Sequence, residues 1–275
     1  MTEQPAWQAL TAAIQEAEQD GGIVGVAVRD QRGATFAHNG ARPFRAASTV
    51  KVPLMVELLR QIEEGIFALN DLHTLGSADK TPGSGVLMEL HDELPLTYRD
   101  LIYLMISISD NTATNILIDR AGMDDVNTTM RELGMADSTL GRKMRGRPAQ
   151  EGEAENWATP DDYLTILTVI LDEGKISAAS RAFMRTMLEK QQNTRRISRY
   201  LPTGAGIAWG SKTGSITGVA NDVGFISTPR GTILLSIFTE DLPDPHVAER
   251  AIGLLSRAAM LDCGIIEPLP ALAGG

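Results

Sequence analysis

The pattern of hydrophobic and polar residues predicts strands near both ends of the chain and helices between them. Residues 23–29 and 34–38 have the short apolar runs of strands, and a turn at 31–33 separates them. Apolar residues then recur at helical spacing until about residue 192. After a first helix within 1–22, helices are predicted at 49–64, 97–106, 112–121, 124–133, 160–173 and 178–192, and strands return at 208–212, 219–227 and 232–239 before a last helix at 245–261.

Because the strands come from both ends of the chain, we expect an α+β protein with one sheet built from the two termini and a helical domain inserted between them. The predicted sheet domain comprises 1–40 and 195–275, and the helical domain comprises 41–194, with the active site at their interface. The segment 141–157 has too few apolar residues for a core element and changes from basic to acidic. Such a loop inside a compact domain is usually functional or mobile.

Composition limits the class of protein and its partners. The 275 residues are 43% hydrophobic and 22% charged, as in common soluble globular proteins. A net charge of −10 argues against nucleic acid or an anionic membrane surface as the main partner. No export signal or bilayer-spanning apolar run is visible. We expect a soluble protein, cytoplasmic if Met1 is the natural start and periplasmic or secreted if a leader was removed, with a monomer as the default.

Neither a metal nor a cofactor is predicted. The single cysteine, Cys263, rules out an internal disulfide. The four histidines are scattered without the spacing of metal ligands, which also disfavours a Ser-His-Asp triad.

Candidate nucleophilic chemistry begins at Ser48, with Lys51 three residues later. Residues three apart share a helix face, and Ser48 is predicted to be the N-cap of helix 49–64. A serine hydroxyl attacks only when a neighbouring base takes its proton. Lys51 can be that base if burial or nearby cations suppress its own charge. The pattern alone is weak, since a capping serine beside a solvated lysine is its commoner explanation.

Two further motifs strengthen this interpretation. Ser109-Asp110-Asn111 lies in a predicted helix-to-helix turn, and Lys212-Thr213-Gly214 ends a predicted strand. Each alone is a common turn or strand-end sequence. Together and in this order, Ser-x-x-Lys, Ser-Asp-Asn and Lys-Thr-Gly match the set found in class A β-lactamases and penicillin-binding proteins.

The chain therefore resembles the penicillin-recognising serine hydrolases, in their class A β-lactamase branch. The likeness extends over residues 105–117 and 212–241 and covers nearly the whole chain. It implies a β-lactamase/transpeptidase-like fold: an antiparallel sheet of about five strands flanked by the N- and C-terminal helices, with an inserted all-α domain.

The resemblance also implies roles for individual residues. Ser48 is the nucleophile and Lys51 accepts its proton, while Ser109 relays a proton to the departing nitrogen, assisted by the charge of Lys212. The remaining implied groups bind substrate: Asn111 binds its amide side chain, Thr213 and Ser215 bind its carboxylate, and Gly214 is a further substrate-binding residue. The N–H groups of Ser48 and Ser215 form the implied oxyanion hole.

The chain departs from the family pattern in two places. Class A enzymes deacylate with a glutamate in the loop beyond the helical core, followed four residues later by an asparagine. Here the aligned segment 142–146 has no glutamate, and Glu155 is the tentative substitute among Glu151, Glu153 and Glu155, although a hydrated acidic run is the favoured explanation of these three residues. The arginine that often binds the substrate carboxylate is also missing, with Arg230 in a nearby turn as a possible replacement.

Four functions follow from these observations. The leading hypothesis is a serine hydrolase that opens β-lactam amides through an acyl-enzyme on Ser48, with deacylation in question. The second is a D-alanyl-D-alanine peptidase or promiscuous esterase on the same scaffold. A non-hydrolytic penicillin-binding sensor and a degenerate structural relative are disfavoured, because the chain carries no signalling domain and all three motifs are complete.

Overall fold

A five-stranded antiparallel sheet forms the centre of the molecule. The computed structural model describes residues 5–19, 21–172 and 174–267. The order of strands in the sheet is β2-β1-β9-β8-β7, so strands from the two ends of the chain meet between β1 and β9. The strands are β1 (Ile23–Arg29), β2 (Thr35–His38), β7 (Ala208–Ile216), β8 (Val219–Thr228) and β9 (Gly231–Glu240), while four short strands, β3 (Phe44–Arg45), β4 (Leu72–Thr74), β5 (Pro95–Thr97) and β6 (Trp157–Ala158), pair as β3-β6 and β4-β5 outside the sheet.

The central strands are buried on both faces because helices cover the sheet on both sides. Val26 of β1, for example, is fully buried and lies opposite Ile237 of β9. A strand that is buried on both faces reads as a continuous apolar run in the sequence. This is the reason that β1, β8 and β9 were predictable nearly to their ends.

Eight α-helices complete the described fold. They are α1 (Gln8–Glu18), α2 (Lys51–Glu63), α3 (Tyr98–Ser107), α4 (Asn111–Ala121), α5 (Met123–Leu133), α6 (Pro160–Leu171), α7 (Ala178–Glu189) and α8 (Pro245–Asp262), with short 3-10 turns at Ala47–Val50, Ser77–Asp79 and Leu87–Glu89. Each of the predicted helices is confirmed within a few residues, because each has one apolar face and five of them, α3, α4, α6, α7 and α8, begin at a residue whose side chain caps the helix.

Two hydrophobic cores lie on opposite faces of the sheet. One core joins α1 and α8 to the sheet through side chains such as those of Val24 and Leu235. The other joins helices α2 to α7 to the opposite face, through residues such as Phe225 and Phe238. The α+β fold with a sheet built from both ends of the chain is therefore confirmed. The domain boundaries at 40/41 and 194/195 stay a prediction, and their terminal parts, 1–4 and 268–275, lie outside the described residues, as does Glu173 at the end of the predicted helix 160–173.

Two local predictions are wrong. Ser48 is not a helix N-cap: it lies inside the 3-10 turn Ala47–Val50, which leads directly into α2. Lys212-Thr213-Gly214 does not end a strand, because β7 continues to Ile216 and pairs with β8 along its whole length. Both deviations have the same cause: packing between the sheet and the Ser48 segment extends regular structure beyond its local sequence signals.

Candidate active site

The segment that carries Ser48 is held between the sheet and the polar loop 141–157. The side-chain amide of Asn221, on β8, donates hydrogen bonds to the carbonyls of Arg45 (2.9 Å) and Ala46 (3.2 Å). From the other side, the Ala46 N–H donates to the carbonyl of Asn156 (2.8 Å). Ala47, directly before the serine, has a φ of 48°, which a residue with a Cβ rarely adopts. Such strain persists only where the surroundings impose it, and it is frequent at functional sites.

Lys51 is completely buried and is enclosed by the Ser-Asp-Asn turn. Its Nζ lies within hydrogen-bond distance of the Ser109 carbonyl oxygen (2.7 Å), the Ser109 hydroxyl (3.0 Å) and Oδ1 of Asn111 (3.1 Å). Among the described residues it makes no hydrogen bond to Ser48, although the two residues are three positions apart. The structure thus brings the first two motifs together around one amine.

The environment of Lys51 favours its neutral form. Burial lowers the pKa of Lys51 well below its usual value, and the positive charge of Lys212 lowers it further, while Asp110 acts in the opposite direction. A neutral amine has a free electron pair and can accept a proton. The lowered pKa therefore makes the deprotonated amine, which a general base requires, easier to reach in Lys51 than in an exposed lysine.

The Ser-Asp-Asn motif forms the turn between α3 and α4, as the sequence predicted. Ser109 has a φ of 61°, and Asp110 is the N-cap of α4, accepting a hydrogen bond from the Ala113 N–H (2.9 Å). The strained backbone at Ser109 turns its carbonyl and its hydroxyl toward the same amine. The capping aspartate fixes the start of the helix that carries Asn111.

The Lys-Thr-Gly strand lies against the Ser48 segment. A Cβ added to Gly214 would lie 2.8 Å from the Ala46 carbonyl oxygen and 3.2 Å from the Ser48 nitrogen, so only glycine permits this approach. Thr213 and Ser215, on either side of this glycine, line the same cavity as Ser48. The third motif is thus brought to the nucleophile segment by close backbone packing.

Lys212 is fully buried and sits among charged groups. Burial lowers the pKa of Lys212 to about 7; the carboxylate of Asp222 opposes this change and the guanidinium of Arg196 adds to it. Burial in turn raises the pKa of Asp222 to about 6 against the effect of Arg196. The described residues include no direct hydrogen bond between Lys212 and Ser109. Lys212 therefore loses its charge close to neutral pH.

Arg196 is a site residue that the sequence analysis missed. Its guanidinium donates to the carbonyls of Gly214 (2.8 Å) and Asn221 (2.7 Å) and to the Ser215 hydroxyl, and it is only 4% exposed. It places a positive charge beside Gly214 and Ser215 on β7. The pair Arg195-Arg196 lies in an irregular segment, and nothing in the local pattern distinguishes it from a solvated basic pair.

Arg230, by contrast, is far from this cation. Its guanidinium is bound to Glu267, it is more than half exposed, and it lines a separate cavity with Tyr200 and Arg257. Its suggested role as the missing carboxylate-binding arginine is therefore wrong. The β8–β9 turn that carries it lies at the opposite end of the strand from Asn221.

Two adjoining cavities meet at Ser48. The larger one, of about 440 Å³, extends past Ser109 toward the segment 191–195, and the smaller one extends under the loop 141–157. Three serines line both cavities: Ser48, Ser84 and Ser215. The nucleophile candidate thus stands at the junction of two spaces, where a substrate can extend in two directions.

Glu155 lies near this site, but its carboxylate is occupied. Arg142 contacts both carboxylate oxygens in a pair that is about nine-tenths buried, and the N–H groups of Asn156 and Ala149 donate to the same group. Burial alone would raise the pKa of Glu155, but these hydrogen bonds outweigh it and lower the pKa. The ion pair between Arg142 and Glu155 joins the two ends of the polar loop 141–157. Glu151 is exposed, and Glu153 pairs with Arg145 and Arg147.

Met144 occupies the part of the loop that faces the smaller cavity. The side chain of Asn115, on α4, holds its backbone on both sides: Met144 N–H donates to Oδ1 (2.8 Å), and Nδ2 donates to the Met144 carbonyl (3.0 Å). Met144 lines this cavity together with Ser48 and Asn111. The loop 141–157 therefore contributes an apolar residue, Met144, to the wall of the smaller cavity.

No cluster of metal-ligating side chains is present in the described part of the chain. In the same residues, none of the helices has the length and apolar character that crossing a membrane would require.

Comparison with known proteins gives a consistent result. A sequence model described as the beta-lactamase enzyme family matches residues 5–261. The crystal structure of a beta-lactamase from Sphaerobacter thermophilus is 56% identical, with a TM-score of 0.93 over 95% of this chain and 99% of that one. A PBP-A mutant in an acyl-enzyme complex with penicillin G is 26% identical (TM-score 0.82, 94% and 97% covered). An ancestral class A beta-lactamase is 25% identical (TM-score 0.84, 92% and 99% covered).

The family match spans nearly the whole described chain, and the solved relatives share its sheet and helices throughout. This chain belongs to the beta-lactamase enzyme family and is a serine hydrolase of its class A branch.

Proposed function

We propose that this enzyme, acting as a monomer, opens the amide bond of β-lactams through an acyl-enzyme on Ser48. The observation that carries the proposal is the buried amine of Lys51, with a lowered pKa, enclosed by Ser109 and Asn111 beside a cavity lined by Ser48. A buried lysine that forms no ion pair with any described residue is costly, and such groups cluster at functional sites. The acyl-enzyme formed by a PBP-A relative with penicillin G supports the same chemistry.

The acylation step assigns one task to each polar group. Ser48 Oγ forms a bond to the lactam carbonyl carbon while its proton passes to Lys51, directly or through a water molecule. The N–H groups of Ser48 and Ser215 stabilise the oxyanion, a contribution of several kcal/mol at a well-formed hole. Ser109 then delivers a proton to the lactam nitrogen as the carbon–nitrogen bond breaks, and the proton held by Lys51 replaces it.

Substrate binding uses the strand and the cations around it. Thr213 and Ser215 donate hydrogen bonds to the substrate carboxylate. Gly214, which has no side chain, allows the backbone of the Ser48 segment to pack closely against this strand. Lys212 and Arg196 supply positive charge at this end of the cavity, and Arg196 holds the Ser215 hydroxyl. Asn111 binds the amide side chain of the substrate.

Deacylation is the step that distinguishes two candidate functions. We propose Glu155 as the residue that positions or activates the attacking water, because it lines the smaller cavity with Ser48. Its ion pair with Arg142 leaves it a weak base. The ion pair between Glu155 and Arg142 therefore favours slow deacylation. It supports a second candidate function, a penicillin-binding peptidase or esterase in which the β-lactam acyl-enzyme persists.

One experiment separates these functions. The purified protein is mixed with a chromogenic cephalosporin and, separately, with a fluorescent penicillin, and intact mass is followed over time. Rapid turnover with a transient adduct supports a β-lactamase, and a lasting adduct on Ser48 supports the peptidase or esterase. Absence of both adduct and turnover would contradict the proposal.

We expect Glu155→Gln to slow deacylation at least about tenfold while acylation changes less, if the carboxylate acts on the water. Arg142→Gln is the matched control, because it removes the same ion pair and leaves the carboxylate in place. Both rates are measured for each variant from adduct formation and decay. Equal decreases in the deacylation rate of the two variants would contradict this role and would mean that Glu155 only stabilises the loop 141–157.

Acylation by an anionic β-lactam should weaken as the pH rises through about 7. The pKa of Lys212 is about 7, so its charge is present below this pH and is lost above it. The protonated fraction falls about tenfold for each pH unit above the pKa. We compare kcat/KM for benzylpenicillin with that for the uncharged 4-nitrophenyl acetate, since this parameter reports the free enzyme. Their ratio should fall at least about tenfold between about pH 6.5 and 8.5, and a constant ratio would remove Lys212 from carboxylate binding.

A further inference from the structure

Ser84 stands at the junction of the two cavities and has no assigned role. It lines both cavities, a property that it shares with Ser48 and Ser215. Its side chain is exposed, and its hydroxyl makes no hydrogen bond to any residue that the structure describes. A free hydroxyl on the wall of a reaction cavity is available to a ligand.

Several hydrogen bonds join the segment around Ser84 to the Ser-Asp-Asn turn. The Asp110 carboxylate accepts hydrogen bonds from the N–H groups of Val86 (2.6 Å) and Leu87 (2.9 Å). The Asn111 N–H donates to the carbonyl of Ser84 itself (2.9 Å), and its side-chain amide donates to the carbonyl of Pro82 (3.0 Å). Ser84 is therefore held in a fixed position relative to Asn111.

Two glycines make this close contact possible. Gly83 and Gly85 both have a φ of 110°, and a Cβ at these positions would lie 2.4 Å from the Asn111 side-chain nitrogen and 2.2 Å from an Asp110 carboxylate oxygen. The glycines let the backbone lie on the turn, and Ser84, between them, offers its side chain to the cavity. A group held rigidly in this way binds without losing much conformational entropy.

Resting on the proposed function, we propose that Ser84 is a specificity-determining residue that hydrogen-bonds the acylamino side chain of the substrate. Ser84 is joined to Asn111 through its backbone carbonyl and lines the smaller cavity with it, so its hydroxyl can add a second contact to the same amide. It can donate to the amide carbonyl or accept from the amide N–H. A substrate that lacks this acylamino group gains nothing from Ser84.

The test compares benzylpenicillin, which has an acylamino side chain, with 6-aminopenicillanic acid, which has a free amine there. Ser84→Ala should slow acylation of Ser48 by benzylpenicillin about three- to tenfold, as expected for one neutral hydrogen bond. Acylation by 6-aminopenicillanic acid should change less than about twofold. Ser84→Thr, which keeps the hydroxyl, should restore most of the benzylpenicillin rate.

The controls separate this inference from the proposed function. Ser77→Ala removes an exposed serine hydroxyl from the same region but lines neither cavity, so neither rate should change. Equal slowing of both penicillins by Ser84→Ala, or no slowing, with an unchanged melting temperature, would overturn the role of Ser84 and leave the acyl-enzyme intact. If the unmodified protein forms no adduct with either penicillin, the proposed function itself fails and the inference falls with it.

Discussion

Replacing Ser48 by alanine should lower the rate of β-lactam opening by at least about 10⁴-fold, the scale seen when a serine hydrolase loses its nucleophile. The hydroxyl is the atom that becomes acylated, and the nearby amine of Lys51 cannot replace it, because it is fully buried and engaged with Ser109 and Asn111. The covalent adduct should disappear at the same time. Hydrolysis of a chromogenic cephalosporin and intact mass after incubation with a fluorescent penicillin measure the two effects.

The removed atom is small, so the fold should survive the change. Ser48 lies in a turn whose backbone is held by Asn156 and Asn221, and these contacts do not use its side chain. We therefore expect the melting temperature of Ser48→Ala to stay close to that of the unmodified protein. Labelling that persists in this variant would place the nucleophile elsewhere and end the assignment.

Introducing a carboxylate by Met144→Glu should accelerate deacylation about 100-fold or more, the lower range for a positioned general base. Asn115 holds the backbone of Met144 on both sides, and the residue lines the smaller cavity with Ser48 and Asn111. A carboxylate here lies on the cavity wall, whereas that of Glu155 is tied to Arg142. Decay of the penicillin adduct, followed by intact mass after rapid mixing, measures the rate directly.

Met144→Gln is the matched control, because it has the same shape as the glutamate variant and cannot take a proton. Met144 is 8% exposed, so either polar substitution lowers stability, and the melting temperature of both variants should fall together. Acylation should change little, since Lys51 and Ser109 stay in place. Equal deacylation rates in the two variants would show that a carboxylate at position 144 does not act on the attacking water.

Much of this site was visible in the sequence because its motifs are local. Ser48 and Lys51 are three residues apart, Ser109, Asp110 and Asn111 are consecutive, and so are the residues of the Lys-Thr-Gly strand. A short motif keeps its spacing whatever the rest of the chain does. The strands and helices were predictable for a related reason. The spacing of apolar residues and the residue types at the ends of an element are local features of its sequence.

Contacts between distant segments were not predictable in this way. The role of Arg196 depends on carbonyls and a hydroxyl 18 to 25 positions away, and the position of Ser84 depends on a turn more than 20 residues later. Arg230 was suggested as a replacement because its turn precedes β9 in the sequence, yet the length of β8 and β9 places it at the far end of the sheet from Asn221.

The sequence by itself determined the class of fold, the three motifs and the chemistry that they imply. The tertiary structure alone decided that Lys51 is buried beside Ser109 and Asn111, that the Glu155 carboxylate is tied to Arg142, and that Met144 faces the cavity. The physical reason is that burial and charge are properties of the space around a group. That space is filled by residues from other parts of the chain, and only folding selects which ones.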